Sequence, residues 1–231
     1  MSDVLPVMRV LGALLALFAV SMGGPLAASL WAREGLWQHY ATAIAVTLMA
    51  SALLWGGLRA HKRELLPRHG VMLVSVVWGI LPLFAALPLL LVMHAIGRPL
   101  SFTHAYFESV SGLTTTGATV LAELDRLPLS VNMWRTFMQW IGGMGILILA
   151  VAVLPLLGVG GSQLFKAEAA GPVKDTKLTP RMTETAKGLW GVYVVFSLVC
   201  ALAFWLGGMT PPDAIMHMFA TVSLGGLSPH D

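Results

Sequence analysis

Two short stretches carry the residue types best suited to chemistry in an otherwise apolar chain. Thr114, Thr115, Thr116 and Gly117 form the centre of LTTTGATV, and Ser223, Leu224, Gly225 and Gly226 the centre of VSLGGLS. β-Branched residues ending on a glycine predict extended backbone rather than helix. Extended backbone presents a row of carbonyl oxygens, and rings of such oxygens replace the water shell of a cation. Neither stretch contains Asp or Glu, so selection there would rest on carbonyl dipoles and not on fixed charge. Gly117 accepts unusual backbone angles and has no side chain to narrow a lumen.

The elements around these stretches belong to a membrane protein. Of 231 residues, 57% are hydrophobic and 11% charged, against about 25% charged in a soluble domain. Five spanning segments are predicted: about 10–31 with a kink at Pro25, 37–58, 70–96 broken by Pro82 and Pro88, 131–159, and 186–208. Between the third and fourth lies Ser101–Gly112, predicted as a helix of about 18 Å at 1.5 Å per residue. A bilayer core is about 30 Å thick, so this helix enters but does not cross. A half-helix followed by returning extended backbone is a re-entrant pore loop. Backbone of that kind is tolerated at membrane depth only when packed in protein or lining water. The partial negative charge of the helix C-terminus favours a cation there.

The unit recurs. Residues 104–119 lie over residues 213–228 without a gap, at an offset of 109: Ala105 falls on Ala214, Thr114 on Ser223, Gly117 on Gly226 and Thr119 on Ser228. Internal repeats are a common device of transport folds. Asp213, after Pro211-Pro212, is the predicted start of the second half-helix.

The formal charge of +3 does not imply nucleic acid, because the bases sit in loops flanking apolar segments. Arg59, Lys62, Arg63 and Arg68 share one loop, and Lys166, Lys174, Lys177, Arg181 and Lys187 another. The positive-inside rule places both, with the N-terminus, in the cytoplasm. Arg9 followed by an apolar run raises a cleavable signal peptide, but the run continues through Trp31 for a spanning length. The lone Cys200 forms no intrachain disulfide and reads as packing, as do the thirteen methionines. The seven histidines form no metal-binding spacing. An intramembrane serine protease built on SVSG with His94 or His104 lacks a histidine in a later span. A proton relay is disfavoured because Asp, Glu and Lys, its usual groups, are nearly absent from the middle of the five spans.

At FESVSGLTTTGATVL (107–121) the chain resembles the first pore loop of the Trk/Ktr/HKT superfamily of potassium-uptake membrane proteins. The likeness continues in MQWIGGMGILILAVAVLPLLGVGG (138–161), KLTPRMTETAKGLW (177–190) and FATVSLGGLSPHD (219–231). It implies an all-α polytopic membrane fold: a two-helix preamble and four helix–pore loop–helix repeats around one pore. On that plan residues 1–69 are the preamble, 70–160 the first repeat, 161–185 a cytoplasmic linker, and 186–231 the first helix and pore loop of the second repeat. The chain is then expected to be an N-terminal portion of a longer transporter. The alternatives are a membrane module without transport of its own, or a sodium-permeable or cation-coupled member.

The resemblance also implies a set of functional groups. Potassium would meet carbonyls of Thr114–Gly117 and Ser223–Gly226, above all Thr115, Thr116, Leu224 and Gly225, with Gly117 and Gly226 at the constriction. Glycine at the first constriction is associated in the family with potassium, and serine with sodium. No organic cofactor is expected in this chain. Implied partners are membrane lipid, a second copy in a homodimer, and a cytosolic nucleotide-binding regulatory subunit; the expected location is the bacterial inner membrane. Glu108 has two readings: tuning the field at the outer mouth, or a structural carboxylate bonded to filter N–H groups or paired with Arg135. Gly142, Gly143 and Gly145 permit close helix packing or bending.

Overall fold

A computed structural model of the chain describes residues 4–57, 67–153 and 178–231. The described residues are helical apart from short connections and the two glycine-ended strands. Among the described residues, eight α-helices follow in order: α1 (Val4–Ser21), α2 (Gly23–Trp31), α3 (Trp37–Gly57), α4 (Pro67–Ala95), α5 (Phe102–Leu113), α6 (Leu129–Val153), α7 (Leu178–Leu206) and α8 (Pro211–Val222). Among the described residues, four helical stretches are long and apolar enough to cross a membrane: Val4–Trp31, Trp37–Gly57, Met72–Ala95 and Glu184–Leu206. The predicted span 131–159 runs past Val153 into residues outside those described, so it is not covered whole. The N-terminal half of α6 carries Asn132, Arg135, Thr136 and Gln139, all buried, so its polarity faces protein. Arg59, Lys62, Arg63, Lys166, Lys174 and Lys177, on which the orientation rests, lie outside the described residues, as does most of the predicted 161–185 linker.

The prolines act differently from expectation. The first span turns at Met22, between α1 and α2. That is one helical turn before Pro25, where a missing N–H leaves its effect. In α4 the helix runs unbroken through Pro82 and Pro88. Two outside donors reach the turns before these prolines. Tyr106 Oη donates to the Gly79 carbonyl at 3.1 Å and Trp134 Nε1 to the Ala85 carbonyl at 3.0 Å. Each carbonyl lies three residues before a proline, in the turn that the ring disturbs, and neighbouring helices re-satisfy such groups in membrane proteins.

One core binds the preamble helices to the first repeat. Phe18 and Met22 from α1 and its turn, Tyr40 and Ala43 from α3, Leu89 and Met93 from α4, and Trp134 and Met138 from α6 meet there. At the other side α6 packs on α7 and α8. Tyr193 Oη donates to the Trp140 carbonyl and Trp140 Nε1 to Ser197 Oγ, while Phe137 and Trp140 pack on Phe219. α6 therefore stands between the two short helices α5 and α8.

Candidate ion-conducting site

The two half-helices are built alike, atom for atom. Ser101 caps α5 by accepting from the His104 N–H, and Thr210 caps α8 by accepting from the Asp213 N–H. The cap of α8 is thus Thr210 and not Asp213: Pro211 takes the first helical position, where its missing N–H costs nothing. Both helices end in the same Schellman motif. The Thr115 N–H bonds the Gly112 carbonyl and the Thr116 N–H the Ser111 carbonyl; Leu224 bonds Thr221 and Gly225 bonds Ala220 in the same way. The hydroxyls of Thr114 and Ser223 reach back to the Val110 and Phe219 carbonyls. The hydroxyls of Thr119 and Ser228 each accept from the N–H two residues on. Every one of these pairs obeys the offset of 109.

The strands do not begin as plain extended backbone. Thr115 and Leu224 sit at φ +55° and +54°, in the left-handed region, and Gly117 and Gly226 both at φ +78°. A β-branched residue there is uncommon. Left-handed backbone costs an L-residue roughly 1–2 kcal/mol, and such strain concentrates at functional sites. Among the described residues, no donor bonds the carbonyls of Thr114, Thr115, Thr116, Gly117, Ser223, Leu224 or Gly226. The Gly225 carbonyl differs, since it accepts from Gln139 Nε2. The two strands also touch. A Cβ on Gly117 would run into the Gly225 carbonyl, so glycine is needed at 117 for both its angles and its space.

One face of α6 holds both strands from behind. Arg135 and Glu108 are fully buried and paired, with Nε to Oε1 at 2.8 Å. Glu108 also accepts from Thr119 Oγ1 at 2.9 Å and 3.0 Å, and from the Val120 N–H at 3.1 Å. Arg135 Nη2 donates to Thr119 Oγ1 and Nη1 to the Ser228 carbonyl, 3.0 Å and 3.2 Å away. Asn132 donates to the carbonyls of Leu124 and Pro229 and accepts from Arg135. Arg135 and Asn132 therefore tie the segment after one strand to the segment after the other. Of the structural readings of Glu108, the pairing with Arg135 is the one seen; the N–H it accepts is that of Val120, beyond the filter stretch and not within it.

Deeper on the same face, Gly142 and Gly143 are packing glycines. A Cβ on Gly142 would overlap the Leu113 carbonyl, and one on Gly143 would come within 2.9 Å of Tyr193 Oη and 3.1 Å of Ser223 Cβ. Gly145 meets nothing. Outside the strands, His230 bonds Asp125 and lies 3.3 Å from Asp213, its ring stacked on His217 at 5.7 Å. Hydrogen bonding to Asp125 raises its pKa above the ordinary histidine value, against a smaller opposing effect of burial. Among the described residues no cluster of His, Cys, Asp or Glu could hold a metal ion.

Comparison with known proteins bears directly on this arrangement. The family described as "TrkH: Cation transport protein" matches residues 37–231. This chain belongs to the TrkH cation transport family. The Trk system potassium uptake protein TrkH of Vibrio parahaemolyticus is 50% identical over 97% of this chain. That of Escherichia coli K12 is 46% identical over 96%, and the K12 protein TrkG 37% over 99%. The crystal structure of the potassium transporter TrkH from Vibrio parahaemolyticus matches with a TM-score of 0.84 at 45% identity, over 97% of this chain and 44% of that one. The chain spans a little under half the length of the curated relatives it matches, 46% for the two TrkH proteins named and 47% for TrkG. The family is one of cation transporters, not enzymes.

Within this TrkH-family chain, Asn132 and Gln139 carry roles that sequence reasoning missed. Their signal was present: 132, 135, 136, 139, 142 and 143 recur at helical spacing on one face of an otherwise apolar segment.

Proposed function

We propose that the protein carries potassium ions across a bacterial inner membrane along a filter lined by the carbonyls of Thr114–Gly117 and Ser223–Gly226. The observation that carries this reading is the pair of matched strands, whose carbonyls, that of Gly225 excepted, are left without donors among the described residues, next to backbone held in the left-handed region. Unpaired carbonyls are costly in an apolar setting and are used where they face water or an ion. The names of the relatives, potassium uptake proteins, agree. So does glycine, not serine, at position 117. In this reading the glycines at 117 and 226 sit at the constriction and each half-helix points its negative end inward. Residues 1–69 act as preamble, 70–160 as a first repeat and 186–231 as the start of a second, with the N-terminus cytoplasmic. A homodimer and a cytosolic nucleotide-binding regulatory subunit complete the assembly.

The test is potassium uptake by a transport-deficient bacterium producing the protein that carries this chain at its natural length. Gly117→Asp places a Cβ against the Gly225 carbonyl and a fixed charge between the strands, and should abolish selective uptake. Unchanged uptake by Gly117→Asp would refute the filter assignment. Sodium uptake matching that of potassium in the wild type would refute the choice of ion.

A further inference from the structure

The two strands are held by different means. In the first, Thr116 Oγ1 bonds Thr114 Oγ1 within the strand, and the carboxylate of Glu108 secures Val120 just beyond. In the second, position 225 is a glycine whose backbone is bonded by a side chain from α6. Gln139 is fully buried, and its Nε2 donates to the Gly225 carbonyl. Only the amide NH2 can face a carbonyl, so chemistry fixes the orientation. The amide lies so close that the three atoms nearest a Cβ built on Gly225 all belong to Gln139. Gly225 has no positive φ; it is glycine to make room for this amide. The amide's Oε1 is buried and finds no donor among the described residues. A half-satisfied buried amide is a net cost to stability, so packing alone does not account for it.

We propose that Gln139 is a positioning residue that fixes the Gly225 carbonyl and thereby sets the preference for potassium over sodium. The proposal rests on the filter reading above. Discrimination between two ions of equal charge depends on where carbonyl oxygens lie and how freely they move. A carbonyl whose oxygen is already held by a side-chain N–H can neither tilt freely toward a smaller ion nor rotate away. In the paired strand the equivalent position carries no such tether, so Gln139 acts on one strand alone.

The experiment uses the protein at its natural length and follows potassium and sodium uptake together with the amount of protein in the membrane. Gln139→Met keeps the bulk and loses the donor; Gln139→Glu keeps the shape and turns carboxylate oxygen toward a carbonyl. Both should lower the preference for potassium about tenfold, the equivalent of roughly 1.4 kcal/mol, with a raised KM for potassium and little change in maximal rate. Gly225→Ala should reduce the amount of protein. The pair Gln139→Ala with Gly225→Ala, in which the smaller side chain vacates the space, should restore that amount without restoring selectivity. Wild-type discrimination in Gln139→Met and Gln139→Glu overturns the role of Gln139 while leaving the filter reading intact. A double variant no more abundant than Gly225→Ala overturns the steric fit. A wild type that does not distinguish potassium from sodium overturns the filter reading itself.

Discussion

Replacing Glu108 by Gln removes the charge from the most enclosed ion pair in the described structure and keeps its shape. Both partners are fully buried, so water cannot take over the freed Arg135 guanidinium. The carboxylate also accepts from Thr119 and the Val120 N–H. An amide offers one oxygen for these donors and turns an NH2 toward at least one of them. Breaking a buried pair on one side costs about 3–5 kcal/mol, a large share of the roughly 5–15 kcal/mol that holds a typical protein. The exposed pair Arg98–Glu123, at 3.2 Å, is the internal comparison: such pairs contribute about 0–1 kcal/mol. Thermal unfolding of detergent-solubilised protein should therefore show a large loss for Glu108→Gln and little for Glu123→Gln. Glu108→Gln combined with Arg135→Met should be less damaging than the sum of the two single changes, because no charge is left unpaired. Equal, small losses for Glu108→Gln and Glu123→Gln, or strict additivity in the double variant, would refute the reasoning.

Two further outcomes follow from the same geometry. Gly142→Ala puts a Cβ into the Leu113 carbonyl and should sharply reduce the protein recovered from membranes, whereas Gly145→Ala, with open space around it, should match wild type in yield and unfolding temperature. His230 titrates above its ordinary value because the folded state pairs it with Asp125 and Asp213, with His217 stacked on its ring. Its contribution to stability is then full below the unfolded value of 6.5 and fades as pH rises through the higher folded value. The unfolding-temperature difference between wild type and His230→Asn should accordingly shrink from mildly acid to alkaline pH; a constant difference would contradict the pairing.

Much of this site was legible before any coordinates. The short helix at 101–112 and the non-helical stretch ending at Gly117 were readable from helix length and from the β-branched residues before the glycine. The offset of 109 gave the second copy, and the structure extends the match to the caps. The cap of α8 was misplaced at Asp213, although a proline at the first helical position assigns capping to the residue before it, Thr210. Other features depend on contacts between distant residues. Pro82 and Pro88 read locally as breaks, yet α4 continues through both, with Tyr106 and Trp134 from other helices bonding carbonyls in the adjoining turns. Left-handed angles at Thr115 and Leu224 run against local preference and are imposed by the Schellman closures and by the packing of the strands on α6. Gln139 looks like an isolated polar residue until Gly225 is brought against it.

The tie between Glu108 and Arg135 has a consequence for how the molecule is made. The two residues lie 27 positions apart, and a ribosome delivers Glu108 first. Until α6 has emerged, α5 carries a carboxylate with no cation to meet it, and the Ala85 carbonyl of α4 awaits Trp134, 49 positions later. The packed form of α5 is therefore completed only by the helix that comes after it.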